Sequence, residues 1–296
     1  MQRRTRNVAL VEGTIAGALF GTAAIFIRLL KNIDAFSIAF WRLVVAASAL
    51  AIILVLLRKP FSGALVRQNL RDLAILGVLL GLHFILFVSS VQDTTILNAT
   101  VLVNTAPIFS MFVSAFLFNV KPSRLAVLGL TISFIGIIII GVADATTQGQ
   151  LSGFSVHLKG DLEAVLAAIL EAFYLNLGRK TRVQMPILST MLPIYLLSAL
   201  VVGVISVPVG ASLTIPISLG AILFILGLGV LPTAISHTLY FSSLSNLKSF
   251  ETATMALLEP IGATALGIAI FQEVPGALFV FGAFLILLGI IFVVAR

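Results

Sequence analysis

Four ionisable side chains lie deep inside long apolar segments of this sequence, where they could do chemistry. Glu171 and Glu259 are each near the middle of such a segment, and His83 and His237 lie similarly deep in two others. In lipid, a centred charge costs about 2.5 to 3.5 kcal/mol on insertion scales, so such groups persist where a polar cavity or a partner receives them. The carboxyls could bind a solute or couple its movement to protons, and the imidazoles could bind a carboxylate or take up a proton. The alternative is a structural role, as neutral groups hydrogen-bonded to a neighbouring helix.

Two tyrosines accompany these residues at helical spacing. Tyr174 follows Glu171 by three residues, and residues at this spacing share one face of a helix. Tyr240 stands in the same relation to His237. We therefore expect an aromatic wall beside the ionisable groups.

Uncharged polar side chains complete the candidate site. Thr100 and Asn104 are four residues apart, so they share a helical face and could present polar groups to a zwitterion. The predicted substrate-binding residues are His83, Thr100, Asn104, Glu171, Tyr174, His237, Tyr240 and Glu259.

The sequence favours neither a metal site nor a catalytic centre. Its three histidines, His83, His157 and His237, have no metal-ligand spacing, and the chain contains no cysteine. It also lacks the Gly-x-Ser-x-Gly, His-Glu-x-x-His and phosphate-loop patterns. We predict no metal, no cofactor and no catalytic residue. An intramembrane enzyme that uses the carboxyls and histidines as an acid/base set stays open as an alternative, as does, less favoured, a membrane scaffold or receptor.

The positioning elements are predicted to be transmembrane helices. The chain is 60% hydrophobic and 10% charged, with a mean hydropathy of +1.19, whereas soluble domains carry roughly 25% charged residues. About 20 apolar residues cross a bilayer as a helix, and the runs are continuous rather than alternating, which excludes a β-barrel. The predicted fold is all-α with ten spans, at 8–30, 35–57, 70–91, 96–118, 123–142, 161–178, 187–207, 217–243, 250–271 and 276–294.

Basic residues orient these spans. With the N-terminus inside, 14 of the 18 Lys and Arg residues fall on the cytoplasmic side, as expected for cytoplasmic loops. The net charge of +7 is thus explained by topology rather than by nucleic-acid binding. The apolar run that begins at Val8 is too long for a secretory signal, so we predict a retained first helix and both termini in the cytoplasm.

The chain contains an internal repeat. His83, Pro107, Pro122, Gly129 and Gly136 recur as His237, Pro260, Pro275, Gly282 and Gly289, and the last four pairs share an offset of 153 residues. Each copy holds five helices, an odd number, so the second copy must cross the membrane in the opposite sense. The predicted organisation is a first repeat at 1–145, an external connecting loop at 146–159 and a second repeat at 160–296.

Small residues and prolines mark the expected packing and hinge positions. Gly13, Gly17 and Gly21 repeat every four residues, a spacing that permits close approach between helices. Pro107 and Pro260 interrupt hydrogen bonding within their spans. Inverted halves can exchange conformations and so alternate the access of a central site, which predicts a solute site near the bilayer midplane.

The sequence resembles the drug/metabolite transporter superfamily, specifically its EamA-type carriers. The resemblance rests on Phe40-Trp41-Arg42, Leu258-Glu259-Pro260 and Phe271-Gln272-Glu273, followed by a helix with Gly282 and Gly289. The family often has a Glu before the last helix of each half. Glu273 fits this pattern, whereas the equivalent first-half position is Val120. The resemblance implies ten helices in two repeats, in a monomer of the bacterial cytoplasmic membrane similar to exporters of aromatic and other neutral amino acids.

The shortage of deep cations also narrows the solute. Arg42 is the only non-histidine cation that lies away from the ends of a predicted span. We expect it to pair with an acid near the outer side, beside Trp41 as an interfacial anchor. A phosphate-bearing solute would meet Arg or Lys forks instead. The shortage of cations therefore favours small neutral or zwitterionic solutes. Together with the resemblance, which implies export, it predicts a transporter that exports such solutes, amino acids in particular. Export of another metabolite or of a drug is the alternative.

Overall fold

The computed structural model describes residues 5–58, 61–147, 157–214, 218–271 and 275–295. These residues contain helices and connecting turns and no strand, which confirms the all-α prediction. The helices are α1 Arg6–Phe20, α2 Ala23–Leu29, α3 Ala35–Leu56, α4 Gly63–Gln68, α5 Leu70–Asp93, α6 Ile96–Val103, α7 Ala106–Leu117, α8 Arg124–Thr147, α9 Leu158–Gln184, α10 Ile187–Val209, α11 Leu219–Leu228, α12 Thr238–Ser243, α13 Ser249–Met255, α14 Glu259–Phe271 and α15 Ala277–Val294. A π-helical segment, Gly229–His237, joins α11 to α12, and a 3₁₀ turn, Ala256–Leu258, joins α13 to α14.

Eight spans among the described residues are long and apolar enough to cross a membrane. They are Arg6–Leu29, Ala35–Leu56, Leu70–Asp93, Asn98–Leu117, Arg124–Val142, Ile187–Val209, Leu219–Ser243 and Ala277–Val294. The two other predicted spans are helical but do not meet this measure, so the count of ten stays a prediction. One of them is α9, which packs against α5, α6, α7, α12 and α13. A helix covered by protein can carry Glu171, Asn176 and Arg182 facing its neighbours, and its mean hydropathy falls accordingly.

The surface of the bundle is apolar. In α15, the exposed side chains include Val280, Phe284, Leu287 and Ile291, which lie on one helical face. The opposite face, with Gly282, Ile286 and Gly289, is buried. An exposed apolar face of this length is typical of a helix surrounded by lipid.

Helices α8 and α15 cross through glycines. A Cβ on Gly129 would lie 2.5 Å from the carbonyl oxygen of Gly289, and a Cβ on Gly136 would lie 2.6 Å from that of Gly282. Residue numbers increase along α8 as those of the contacting residues decrease along α15, so the two helices are antiparallel. Between them, the Ser133 hydroxyl donates a hydrogen bond of 3.2 Å to the Ile286 carbonyl, at a separation of 153 residues.

The glycines of α1 lie against the second half of the chain. A side chain on Gly13 or Gly17 would meet Met255, and at Gly17 it would overlap the Met255 carbonyl group itself. Gly21, just after α1, lies against the backbone of Glu259 and Ala263. The predicted stripe therefore lies at a close interface with α13 and α14.

Pro107 and Pro260 both follow helix breaks. Pro107 is the second residue of α7, after the break at 104–105, and Pro260 is the second residue of α14, after the 3₁₀ turn. A proline in the first turn costs no helical hydrogen bond because the N–H there has no intrahelical partner. These breaks turn polar groups of the two spans toward the interior.

Several boundaries differ from prediction. The first span is divided at Gly21 and Thr22, and the short helix α4 was not predicted. Helix α8 extends to Thr147 and α9 begins at Leu158, so each helix takes two residues of the predicted connecting loop. Residues 148–156 of that loop lie outside the described residues, as do residues 272–274, which include Glu273.

Candidate functional site

A cavity of about 440 Å³, counted with its opening, lies between elements from both halves of the sequence. Its lining residues are Phe20, Ala23, Arg42, His83, Phe84, Phe87, Val103, Asn104, Glu171, His237, Ala256 and Glu259. Ligand pockets typically combine apolar walls with a few polar groups. This cavity has that composition, because both phenyl rings and ionisable groups line it.

Glu259 lies at the first of two acidic positions. The break before α7 lets the Asn104 side chain donate to Glu259 Oε2 at 3.3 Å. The same amide donates to the Thr100 carbonyl at 2.8 Å, so its orientation is fixed by the preceding turn. Both Asn104 and Glu259 are buried. The two helix breaks thus bring polar groups from the two halves into contact.

Glu171 lies at the second acidic position. The Tyr240 hydroxyl donates to Glu171 Oε1 at 2.8 Å and lies 3.4 Å from the Ala253 carbonyl. A hydroxyl has one proton to donate, and the shorter contact is the one to the carboxyl. In the described part of the chain, neither Glu171 nor Glu259 forms an ion pair. Each carboxyl is therefore available to a proton or to the positive group of a solute.

The two histidines are neighbours at the cavity. His83 Nδ1 lies 2.9 Å from the Ala167 carbonyl, which can only accept, so this nitrogen carries the proton. The rings of His83 and His237 are 6.2 Å apart between centroids. His237 lies edge-on to Phe20 and Phe84, each at 4.8 Å, and its buried Nδ1 has no hydrogen-bond partner.

Arg42 lies at the cavity, and the prediction that it pairs with an acid was wrong. Its side chain is 1% exposed, and no described acid lies within ion-pair distance. Its Nε donates to Thr233 Oγ1 at 3.1 Å, and its Cζ lies 3.9 Å from the centroid of Phe84. Arg42 belongs to the buried face of α3, with Ile38, Ala39 and Ala46, and this face turns the guanidinium inward.

A local irregularity places Thr233 next to Arg42. Pro232 has no N–H, so the Leu228 carbonyl lacks its α-helical donor four residues on. The Thr233 hydroxyl donates to that carbonyl at 2.7 Å, and the Tyr195 hydroxyl donates to the Thr233 carbonyl at 2.8 Å. Such π-helical turns are frequent at functional sites. This turn gives Thr233 Oγ1 the position in which it accepts from Arg42.

Five of the eight predicted site residues line the cavity: His83, Asn104, Glu171, His237 and Glu259. Tyr240 lies behind Glu171 and contacts it directly. Thr100 and Tyr174 do not line the cavity; Thr100 Oγ1 donates to the Ile96 carbonyl, and Tyr174 packs on Phe241 with its hydroxyl 3.7 Å from Met191 Sδ.

Sequence reasoning missed the aromatic residues that do line the cavity. They are Phe20, Phe84 and Phe87, rather than the two tyrosines. Phe87 stacks parallel to His83, with centroids 6.2 Å apart. The four-residue spacing of His83 and Phe87 was the available signal, since such residues share a helical face.

Polar contacts lie at both ends of the bundle. At one end, Arg6 forms two hydrogen bonds of 3.0 Å with Glu251 and a third, of 2.8 Å, with the Val294 carbonyl. At the opposite end, Lys159 pairs with Asp93 at 2.7 Å. Asp161 there accepts from Thr94 at 2.9 Å and from Asn98.

Known proteins share this sequence pattern and fold. The sequence profile of the EamA-like transporter family matches residues 9–142 and 158–295. The uncharacterized transporter YxxF of Bacillus subtilis (strain 168) is 23% identical over 264 residues, which cover 89% of this chain and 82% of that protein. An uncharacterized transporter of Archaeoglobus fulgidus is 24% identical over 277 residues and is covered to 92%, as is this chain.

Two further similarities are to a mouse protein and to a solved structure. Solute carrier family 35 member G1 of Mus musculus is 24% identical over 178 residues, 59% of this chain and 48% of that protein. A crystal structure of another protein superposes with a TM-score of 0.81 over 98% of this chain and 97% of that one, at 17% identity, which shows the shared fold. Because the family profile matches nearly the whole chain, this protein belongs to the EamA-like transporter family and is a multi-pass membrane transporter.

Proposed function

We propose that this transporter exports small neutral or zwitterionic solutes, amino acids in particular and aromatic ones among them, by alternating access. The observation that carries the proposal is the cavity, in which two carboxyls without ion-pair partners lie beside phenyl rings. An ammonium group fits the carboxyls, and an apolar side chain fits Phe20, Phe84 and Phe87. The described residues that line the cavity include one arginine and no lysine, which disfavours phosphate-bearing solutes.

Two observations support an arrangement as two inverted five-helix repeats. The family profile matches each half separately, at 9–142 and 158–295, close to the proposed repeats at 1–145 and 160–296. A two-fold axis in the membrane plane makes equivalent helices antiparallel, and α8 and α15 cross in that way. Ser133 and Ile286, which are equivalent by the 153-residue offset, meet at the crossing. Such a pair of repeats can open a central site to either side.

The location follows from the same proposal. We place the protein in the bacterial cytoplasmic (inner) membrane as a monomer, with both termini in the cytoplasm. Arg6 and Glu251 then lie at the cytoplasmic end, and the Lys159–Asp93 pair lies at the outer end.

Counterflow in proteoliposomes tests the function. Vesicles loaded with unlabelled L-phenylalanine should accumulate labelled L-phenylalanine transiently, and the recovered label should be chemically unchanged. Glu259→Gln should slow exchange at least tenfold because it removes a cavity carboxyl. Asp72→Asn is the matched control, since Asp72 is a half-exposed carboxylate outside the cavity, 3.9 Å from Lys180.

Three results would contradict the proposal. They are the absence of counterflow for a panel of all the common amino acids, full activity in Glu259→Gln, and chemical conversion of the label without flux. The last result would favour the intramembrane enzyme.

A further inference from the structure

Two buried hydrogen-bonding atoms at one side of the cavity have no hydrogen-bond partner among the described residues. They are Nη1 of Arg42 and Nδ1 of His237. Both side chains contact the same ring, since the Arg42 Cζ and the His237 centroid lie 3.9 and 4.8 Å from the centroid of Phe84. The two unpartnered atoms therefore belong to one cluster at the cavity wall.

A buried guanidinium without an ion-pair partner has a large desolvation penalty. Removing an ion from water costs several kcal/mol unless an opposite charge or good hydrogen bonds compensate. The ring of Phe84 compensates in part through a cation–π contact, and Thr233 supplies one acceptor. No described acid supplies the remaining compensation. The Nη1 amino group of Arg42, with its two N–H bonds, is therefore left for a partner that enters the cavity.

We propose that Arg42 and His237 form a subsite for the carboxylate group of the solute. This inference rests on the proposed function and makes it more specific. A monocarboxylate matches the cluster because one guanidinium and one imidazole offer a single fixed positive charge, and charge-assisted hydrogen bonds from arginine to carboxylate are strong and directional. The carboxyls of Glu171 and Glu259 then receive the ammonium group of the same molecule.

The cavity would then have an acidic pole, Glu171 and Glu259, and a basic pole, Arg42 and His237. Together these two poles would recognise both charges of a zwitterion. Asn104 and Tyr240 orient the acidic pole through their hydrogen bonds, and Thr233 orients the basic pole. A cationic amine would leave Arg42 uncompensated, and an anion without an amine would leave the carboxyls uncompensated. Transport should therefore require a carboxylate and an ammonium group in one solute.

Three compounds of matched size test the subsite in the wild-type protein. L-Phenylalanine carries both charges, L-phenylalaninamide lacks the carboxylate, and 3-phenylpropionate lacks the ammonium group. In competition with labelled L-phenylalanine in proteoliposomes, the amide should be at least tenfold weaker than L-phenylalanine. Equal competition by L-phenylalaninamide would overturn the proposal without affecting the proposed function.

Variants identify the residues. Arg42→Gln should reduce the preference for L-phenylalanine over its amide to within about threefold, and His237→Gln should reduce it in part. Arg42→Lys, which keeps the charge, should retain part of the preference. The matched control is Arg124→Gln, because Arg124 is an exposed residue at the start of α8. An unchanged preference in Arg42→Gln would overturn the assignment.

A binding measurement in detergent separates this inference from the transport proposal. We expect 3-phenylpropionate to raise the thermal unfolding midpoint of the wild-type protein more than 3-phenylpropionamide does, and this difference should disappear in Arg42→Gln. If counterflow failed for every amino acid but the difference persisted, the carboxylate subsite would stand and the proposed solute class would fall. Equal shifts by acid and amide would overturn the subsite.

Discussion

Besides the two histidines, three buried ionisable side chains share one cavity without forming an ion pair with each other. Glu171 and Glu259 each accept a hydrogen bond from a neutral donor, whereas Arg42 donates to Thr233 and stacks on Phe84. Neutral partners hold these side chains in place and leave their charges available. A solute that carries both signs of charge would complement all three.

Tyr240→Phe tests the contribution of one such neutral partner. The change removes the hydroxyl that donates to Glu171 and leaves the buried carboxyl short of a hydrogen bond, at a cost of roughly 1 to 3 kcal/mol. We expect a lower thermal unfolding midpoint together with weaker binding of L-phenylalanine, measured by competition in proteoliposomes.

Tyr174→Phe is the control for this variant. Tyr174 lies on the same helix as Glu171, but among the described residues its hydroxyl makes only a long contact with the sulfur of Met191. We expect nearly wild-type stability and competition. Comparable losses in both variants would mean that general core packing, rather than the hydrogen bond to Glu171, accounts for the effect of Tyr240.

Depth along an apolar segment was sufficient to identify most of the ionisable residues that line the cavity. A polar group inside a span is costly unless a cavity or a partner receives it, and this cost singled out four residues. They are His83, Glu171, His237 and Glu259, and all four line the cavity. Arg42 was misjudged because sequence position gives depth but not the neighbour that a side chain meets. Its acceptor, Thr233, takes its position from a π-helical turn that no periodicity predicts.

At the scale of the helix, α1 is held against the second half of the chain by residues without side chains. Gly17→Ala would place a methyl group onto the Met255 carbonyl and force the helices apart. Overpacking of this kind costs roughly 1 to 3 kcal/mol. We expect a lower thermal unfolding midpoint and slower exchange, because α1 carries Phe20 into the cavity.

Gly63→Ala provides the comparison. No atom lies within 4 Å of the position that its Cβ would occupy, and the residue begins the short helix α4. This variant should be as stable as the wild type or slightly more so, since alanine favours the helix. If Gly17→Ala behaved like Gly63→Ala, the close interface of α1 with α13 and α14 would be refuted.

Hydropathy predicted the apolar elements well and the protein-covered ones less well. The spans around α3, α5, α10 and α15 are found within a few residues of their predicted ends because lipid contact demands apolar side chains. Helix α9 and the broken pair α13 and α14 carry the acidic site residues and contact other helices. Their composition reflects these neighbours, which a local pattern cannot identify.

For the whole molecule, the inverted arrangement predicts the sides from which equivalent positions can be reached. Ser123 and Gly276 are exposed, precede α8 and α15, and are related by the 153-residue offset. The chain has no cysteine, so Ser123→Cys and Gly276→Cys each introduce a single thiol. In right-side-out vesicles, an impermeant maleimide should label Gly276→Cys and should reach Ser123→Cys only after permeabilisation. Labelling of both from one side would exclude inversion.

Alternating access also predicts that one end must separate during transport. Arg6 and Glu251 join α1 to α13 at the proposed cytoplasmic end through a bidentate ion pair. A double variant, Arg6→Cys with Glu251→Cys, treated with a short reducible thiosulfonate cross-linker should lose counterflow and regain it on reduction. Each single variant, treated alike, should keep its activity. Undiminished flux in the cross-linked protein would show that this end stays closed throughout.

The glycine crossing of α8 and α15 constrains how the two copies can diverge. Gly129 faces Gly289, although its counterpart by position is Gly282. Gly136 faces Gly282 in the same way. Enlarging one residue alters the room left for the one it faces, not for its counterpart. Among relatives, we therefore expect positions 129 and 289 to covary, and likewise positions 136 and 282. A substitution in one repeat would then be compensated at the facing position of the other repeat.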